Sequence, residues 1–301
     1  MFCNLCPRKC NIDRDVSSGF CKADEGWDKV SVSRAALHYW EEPCISGNKG
    51  SGTVFFSNCN LRCVYCQNSQ ISFDGFGKEV SVQRLSRIFL ELQEKGANNI
   101  NLVTPTHYTY QILKALDIAK HKLDIPVVMN CGGYESVETI KMYDGYIDIY
   151  LPDLKYKSSE ISQKYSACSD YFEKASEAIE EMHRQAPKLI WDDYNDEERV
   201  LKKGLIIRHL VLPGCYHDSL DILDWLDSCK FLNKNRFLLS LMSQFTPTEA
   251  CTDFSELNRR ITTFEYNKVM NRASELKFRG FIQELSSAKE EYTPPFDLTG
   301  V

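Results

Sequence analysis

The sequence predicts an α/β fold in which parallel strands and helices alternate to form an open, partial (β/α)6 barrel. From residue 52 onward, β-rich runs alternate with helical patterns, which is typical of right-handed strand–helix–strand crossovers. The 301 residues have an ordinary globular composition and are enough for one large domain. Unusual short motifs follow the predicted strands, where (β/α) barrels place their functional groups.

Each predicted strand is a short run rich in β-branched, leucine or aromatic residues. The six runs are 53–56, 99–103, 125–129, 146–151, 205–212 and 236–241. Pro126 lies near the start of the third run, where a missing N–H is tolerated. Residues 281–282 are expected to return to the sheet after the last helix.

Helices are predicted where apolar residues repeat at helical spacing. Ser81 is expected to cap the first helix and Gly96 to end it. The others are expected at 108–121, 136–143, 170–185, 218–229 and 263–278. Residues 1–50 are interpreted as a Cys-rich N-terminal extension and 51–301 as the barrel. A hairpin at about 187–203 is expected to carry a solvated acidic loop over 191–198.

The net charge, the apolar runs and the cysteine content limit which classes of function are expected. The net charge is −6, so the surface as a whole does not attract nucleic acid. The apolar runs are far short of the roughly 20 residues of a membrane span, and the N-terminus does not resemble a secretory signal. A cytoplasmic, reducing location is therefore expected. Eight of the 13 cysteines lie in the first 66 residues, which favours metal or iron–sulfur ligation over disulfides.

The most informative motif is a C-x3-C-x2-C loop directly after the first predicted strand. Cys59, Cys63 and Cys66 can hold three corners of a 4Fe–4S cube, which leaves the fourth iron open to a small molecule. The amine and carboxylate of a methionine group could chelate that iron. The cluster could then deliver an electron to the sulfonium of the same molecule. The alternative is a zinc site or buried structural thiols. Zinc sites are usually four-coordinate, and the neighbouring Gln67 and Asn68 are poor ligands.

The cluster motif, Tyr65 before its third cysteine, and the strand order resemble the radical S-adenosylmethionine superfamily. The whole chain also resembles a group usually labelled pyruvate-formate-lyase-activating-enzyme-like. The further stretches that carry this resemblance are Cys3 to Cys10, Gly19-Phe20-Cys21, Trp40-Glu41-Glu42-Pro43, Ser46-Gly47, Gly50-Ser51-Gly52, Gln67-Asn68, Val103-Thr104-Pro105-Thr106-His107, Arg208 to Gly214 and Ser240 to Phe245.

The resemblance implies an oxidoreductase that reductively cleaves S-adenosylmethionine. Cleavage would give methionine and a 5′-deoxyadenosyl radical that abstracts hydrogen from a substrate. An electron donor such as flavodoxin or ferredoxin is implied, and a glycyl radical enzyme is the expected partner. Two alternatives stay open: radical modification of a small molecule or a peptide side chain, and a metal-binding adaptor without turnover.

The resemblance also suggests residues that contact S-adenosylmethionine. Tyr65 is expected near the adenine, and Asn130, Asp153 and Lys155 near the methionine end. Activating enzymes of this superfamily bind the methionine amine with a Gly-Gly-Glu stretch after the second strand, where this chain has Thr104-Pro105-Thr106-His107. The Thr104 hydroxyl is a candidate substitute. Arg208 lies within a predicted strand, so its charge needs a partner such as Asp153 or the cofactor carboxylate.

Four more cysteines form a second motif near the N-terminus. Cys3, Cys6, Cys10 and Cys21 have the spacing C-x2-C-x3-C-x10-C. They are interpreted either as ligands of a second iron–sulfur cluster that relays electrons or as a structural zinc knuckle. Both metals accept four thiolates, so the spacing does not decide between them, and unligated thiols are a third alternative.

Overall fold

A computed structural model describes residues 2–24, 26–192, 199–283 and 293–301. Its strands are β1 Lys29–His38, β2 Ser51–Phe56, β3 Lys78–Ser81, β4 Ile100–Val103, β5 Val127–Cys131, β6 Ile149–Pro152, β7 Ile190–Trp191, β8 Leu201–Leu210, β9 Leu238–Met242 and β10 Gly280–Ile282. Its α-helices are α1 Pro43–Ser46, α2 Ser69–Ser72, α3 Val82–Glu94, α4 Thr109–Ala119, α5 Val137–Met142, α6 Ser159–Ser166, α7 Tyr171–Gln185, α8 Tyr216–Ser228 and α9 Thr263–Glu275. Short 3-10 helices cover Thr106–Tyr108 and Glu249–Asp253.

The strands form one sheet whose central part is parallel. The order is β10-β9-β8-β6-β5-β4-β2-β1-β3, and neighbouring strands from β2 to β10 along this path run parallel. This confirms the predicted α/β fold, and β10 contains the two residues that were expected to return to the sheet. Among the described residues the order begins at β10 and ends at β3, so the barrel is open.

Two strands at one edge of the sheet, β1 and β3, were not predicted by the sequence analysis. β1 pairs antiparallel with β2 and with β3. Ser31 and Ser33 in β1 are buried, and the Ser33 hydroxyl donates to the Phe55 carbonyl at 3.1 Å. Because these serines give β1 little apolar signal, its strand pattern is weak in the sequence. β1 lies within residues 1–50, so this region is joined to the sheet by backbone hydrogen bonds.

The predicted helices correspond to α3, α4, α5, α7, α8 and α9, with ends that differ by up to three residues. The Ser81 hydroxyl accepts from the Arg84 N–H and caps α3 as predicted. α6 was not predicted. Apolar side chains from both the helices and the sheet form the main core. None of the helices in the described part of the chain is long and apolar enough to cross a membrane.

The segment before β8 turns back on it. Ile190 and Trp191 in β7 pair antiparallel with Lys203 and Leu201 in β8. Of the acidic stretch expected as a solvated loop at 191–198, residues 193–198 lie outside the described residues.

Candidate cluster and cofactor site

The loop with the C-x3-C-x2-C motif follows β2 at the carboxyl edge of the parallel sheet. The Cys66 N–H donates to the Cys63 carbonyl at 3.0 Å, which closes a tight turn between two of the cysteines. The Val64 N–H donates to the Tyr165 carbonyl at 2.9 Å, so the loop is also attached to α6. These bonds hold the three cysteines on one ordered loop.

All three sulfurs of this loop have hydrogen-bond partners. The Leu61 N–H donates to Cys59 Sγ at 3.4 Å, and the Ser166 hydroxyl donates to Cys63 Sγ at 2.9 Å. Cys66 Sγ lies 3.3 Å from Ser72 Oγ. Hydrogen bonds to sulfur are a normal feature of iron–sulfur ligands and tune the potential of the cluster. The donor set of this loop therefore fits an iron–sulfur cluster.

Burial raises the pKa of both Cys59 and Cys63 and so opposes their ionisation in the protein alone. Burial raises the pKa of Cys63 to about 11, although the positive charge of Lys155 partly offsets this. Within the described part of the chain, no three His, Cys, Asp or Glu side chains are arranged to hold a single metal ion. An iron–sulfur cube makes a different demand, because each thiolate binds its own iron.

A charged network lies beside this loop at the ends of β5, β6 and β8. Arg208 Nε donates to Asp153 Oδ1 at 2.8 Å, and Lys155 Nζ donates to Asp153 Oδ2 at 2.6 Å. Arg208 Nη2 also donates to Asn130 Oδ1. Four candidates from the sequence analysis, Asn130, Asp153, Lys155 and Arg208, are therefore brought together. β5 ends two residues later than predicted, so Asn130 lies within the strand.

The charges in this network stabilise one another although they are buried. Burial alone would raise the pKa of Asp153, but Arg208 and Lys155 outweigh it and hold that pKa below its usual range. Burial would lower the pKa of Lys155, but Asp153 and the Cys63 thiolate more than offset this and raise it. The strand ends thus present an ionised carboxylate and an ammonium group, which can bind the charged ends of a zwitterion.

Glu41 completes the network, and the sequence analysis gave it no role. Its carboxylate accepts from Asn101 Nδ2 at 3.0 Å and from Asn130 Nδ2 at 3.2 Å, and it lies 3.3 Å from Arg208 Nη1. Burial raises the pKa of Glu41, although Arg208 opposes this. In the sequence, Glu41 is one of two consecutive acidic residues before a proline, a pattern that also fits an exposed turn.

A cavity of about 230 Å³ opens next to the network. Glu41, Asn130 and Arg208 contribute to its wall. Three further carboxamide side chains, Gln67, Asn68 and Gln244, also line it. The residues that follow the third cysteine of the cluster loop therefore face the same cavity as the charged network.

Tyr65 and Thr104 make other contacts. The Tyr65 hydroxyl lies 2.5 Å from the Tyr156 hydroxyl, which in turn lies 2.7 Å from Ser166 Oγ. The Ser166 hydroxyl donates to Cys63 Sγ, so these hydroxyls link the Tyr65 side chain to the sulfur of Cys63. Thr104 has a positive φ of 58°, and its N–H donates to the Asn130 carbonyl at 2.8 Å. Thr104 therefore contacts the network through its backbone.

Glu135 is a buried carboxyl near this site that the sequence analysis also missed. It accepts a hydrogen bond from the Thr106 hydroxyl at 2.5 Å. Burial raises its pKa from 4.5 to about 8, an effect that the Thr106 hydroxyl partly offsets. The folded protein therefore keeps this proton over a pH range in which the unfolded chain releases it. As a result, the free energy of unfolding falls as the pH rises through that range.

We expect the Glu135→Gln variant to lose less stability than the wild type as the pH rises. The amide keeps an acceptor for Thr106 but cannot ionise. The expected difference between about pH 5.5 and about pH 8.5 is on the order of 2–4 kcal/mol. Urea unfolding of both proteins at the two pH values measures it. The same pH dependence in both proteins would show that Glu135 does not titrate in this range.

Comparison with known proteins identifies the superfamily. A sequence model of the radical SAM superfamily matches residues 53–192, which include the cluster loop and the Asp153–Lys155 pair. An uncharacterized protein of Methanocaldococcus jannaschii is 30% identical over 287 residues, which cover 90% of this chain and 74% of that protein. Residues 53–192 therefore form a radical SAM superfamily domain. Radical SAM enzymes use a 4Fe–4S cluster and S-adenosylmethionine, and they need an electron donor.

Solved radical SAM structures are more distant. SuiB of Streptococcus suis, bound to its precursor peptide SuiA, has a TM-score of 0.48 and 13% identity, with 76% of this chain and 48% of SuiB covered. The enzyme anSMEcpe with bound S-adenosylmethionine has a TM-score of 0.47 and 13% identity, with 80% of this chain and 62% of that enzyme covered. This chain thus spans about half to three-fifths of their lengths.

Proposed function

We propose that Cys59, Cys63 and Cys66 hold the 4Fe–4S cluster and that S-adenosylmethionine binds beside it at the ends of β5, β6 and β8. When bound, the cluster supplies the electron that cleaves the cofactor to methionine and a 5′-deoxyadenosyl radical. The observation that carries the proposal is the position of the Lys155 ammonium. It pairs with Asp153 at 2.6 Å. A Cβ added at Gly132 would lie 3.0 Å from Leu61 in the cysteine loop and 3.9 Å from Lys155 Cε, and this closeness of the loop and the network supports a shared site.

The network side chains have complementary tasks in this proposal. The Asp153 carboxylate accepts hydrogen bonds from the methionine amine, and the Lys155 and Arg208 cations bind its carboxylate. Asn130 orients Arg208, and Glu41 balances its charge. Thr104 fixes the backbone beside Asn130, and the Tyr65 ring, which packs against Phe245, forms part of the adenosine side.

The carboxamides in the cavity support a peptide backbone as the substrate. Gln67, Asn68 and Gln244 each carry a donor and an acceptor, which match the C=O and N–H of a peptide bond. Gln67 Nε2 donates to the Thr246 carbonyl at 2.8 Å and Gln244 Oε1 accepts from Gln283 Nε2 at 3.2 Å, so a bound peptide would share or replace these bonds. We therefore propose that the radical abstracts hydrogen from a glycine of a partner protein, which makes this chain a glycyl-radical-enzyme activase. A low-potential flavodoxin or ferredoxin would supply the electron.

Deuterium transfer tests both the cleavage of S-adenosylmethionine and the proposed glycine substrate. The anaerobically reconstituted, reduced protein is incubated with S-adenosylmethionine and a glycyl radical enzyme whose glycines carry deuterium at Cα. We expect deuterium in the 5′-deoxyadenosine and an electron paramagnetic resonance signal from a glycyl radical. Deuterium transfer from a labelled small molecule or peptide side chain instead would contradict the activase proposal. Absence of 5′-deoxyadenosine under all conditions would contradict cofactor cleavage itself.

A further inference from the structure

The four N-terminal cysteines line one small cavity. Cys3, Cys6, Cys10 and Cys21 all contribute to its wall. The Cys3 N–H donates to the Ile12 carbonyl at 2.8 Å, and the Asn11 N–H donates to the Cys3 carbonyl at 2.9 Å, so backbone hydrogen bonds fold the first segment on itself. A Cβ added at Gly19 would lie 3.1 Å from Cys10 Sγ. A side chain at this position would crowd Cys10, so the glycine lets the second segment pack close to the first.

A buried imidazole also lines this cavity. His107, from the 3-10 helix after β4, is 1% exposed. Its Nε2 lies 2.8 Å from the Ser57 carbonyl and therefore donates to it, whereas its Nδ1 has no hydrogen-bond partner among the described residues. Thiols with a free imidazole nitrogen beside them are a donor set for zinc or for iron–sulfur clusters. This unpartnered nitrogen is a second sign of a ligand in the cavity.

Two arginines join this cavity to the loop of Cys59. Arg8 Nε donates to the Asn60 carbonyl at 3.0 Å, and Arg62 Nη1 donates to the Cys59 carbonyl at 2.8 Å. Both guanidinium groups pack on the Phe20 ring, at 3.8 and 4.7 Å from its centroid. The N-terminal segment that carries the four cysteines therefore contacts the cluster loop through Arg8 and Phe20.

A series of hydrogen bonds runs from the sulfur of Cys10 to the backbone of Cys59. The Phe20 N–H donates to Cys10 Sγ at 3.3 Å. The Phe20 carbonyl accepts from Arg62 Nη2, and Nη1 of the same guanidinium donates to the Cys59 carbonyl. A structural knuckle would need no such connection, whereas a redox centre needs a short path to the site that it reduces.

We propose that Cys3, Cys6, Cys10 and Cys21 hold a second iron–sulfur cluster that passes electrons through Phe20 and Arg62 to the cluster of Cys59, Cys63 and Cys66. The proposal rests on the proposed function for its acceptor. Bound there, such a cluster would supply one electron at a time to the acceptor, with no proton or bond change, and a low-potential flavodoxin or ferredoxin would resupply it.

Metal and sulfide analysis tests the second centre without any activity measurement. The Cys59→Ala/Cys63→Ala/Cys66→Ala variant is reconstituted anaerobically with iron and sulfide. We expect it to keep iron and sulfide in equal amounts and to give an electron paramagnetic resonance signal on reduction. The matched variant in which all seven cysteines are alanine should keep neither. Zinc without sulfide, or no metal, in the triple variant would overturn the proposal even if the wild type cleaves S-adenosylmethionine.

The path through Arg62 is tested by the rate of electron transfer. In the Arg62→Met variant, reduced flavodoxin should reduce the loop cluster several-fold more slowly, as followed by rapid freeze-quench spectroscopy at matched iron and sulfide content. Lys22→Met removes another cation of the N-terminal segment, one that is exposed and donates to the Phe73 carbonyl outside this path, so it should reduce at the wild-type rate. Equal rates in all three proteins, or equal slowing in both variants, would overturn the role of Arg62.

Discussion

The Cys63→Ala variant is expected to lose S-adenosylmethionine cleavage completely and to lose the iron and sulfide of the loop cluster. Cys63 is the central cysteine of the motif and is 8% exposed, and its sulfur accepts from the Ser166 hydroxyl at 2.9 Å. Two remaining thiolates cannot hold three corners of the cube. The measurements are 5′-deoxyadenosine formation and the iron and sulfide content after anaerobic reconstitution.

The matched control is Cys229→Ala. Cys229 follows α8 and packs at the edge of the main core, in neither of the two cysteine groups. It should keep its cluster and full cleavage. Replacing a cysteine by alanine typically costs about 1 kcal/mol of stability, so both variants should remain folded. If Cys63→Ala kept cleavage, the assignment of the cluster to this loop would be wrong.

The central sheet could be predicted because its strands are short apolar runs that are buried on both faces. The residues of β4 and β6 are all buried, so their signal is continuous and local. β1 was missed because it includes the buried polar residues Ser31 and Ser33, which give no apolar signal; burial of the Ser33 hydroxyl is compensated by its hydrogen bond to the Phe55 carbonyl. β3 has one buried residue in four and gives almost no pattern.

Site residues that lie close together in the sequence could also be predicted, whereas contacts between residues far apart in the chain could not. The three cysteines of the cluster loop lie within eight residues, so their spacing alone indicates the chemistry. Arg208 could be given a probable partner, Asp153, because a charge within a strand needs one. Glu41 is 167 positions from Arg208 in the chain, and no periodicity links the two. The same holds for Phe20 and Arg62, whose contact depends on how the N-terminal segment folds against the loop.

The Arg208→Met variant is expected to be strongly destabilised and to bind S-adenosylmethionine only weakly. Arg208 is the cation between Asp153, at 2.8 Å, and Glu41, at 3.3 Å. Its removal leaves the buried carboxyl group of Glu41 without its ion-pair partner, whereas Asp153 keeps Lys155 at 2.6 Å. The expected cost is about 3–5 kcal/mol, as for one partner removed from a buried ion pair. Urea unfolding and calorimetric titration with S-adenosylmethionine measure the two effects.

A second substitution separates charge balance from cofactor binding. Arg208→Met/Glu41→Gln removes the carboxylate that the single variant leaves without its ion-pair partner, so it should recover part of the lost stability because the two side chains are directly coupled. It should not recover S-adenosylmethionine binding, since the guanidinium of the proposed site is still absent. Lys202→Met, on the same strand but partly exposed, should change neither quantity much. Normal cofactor affinity in a folded Arg208→Met protein would show that the network supports the barrel alone and that S-adenosylmethionine binds elsewhere.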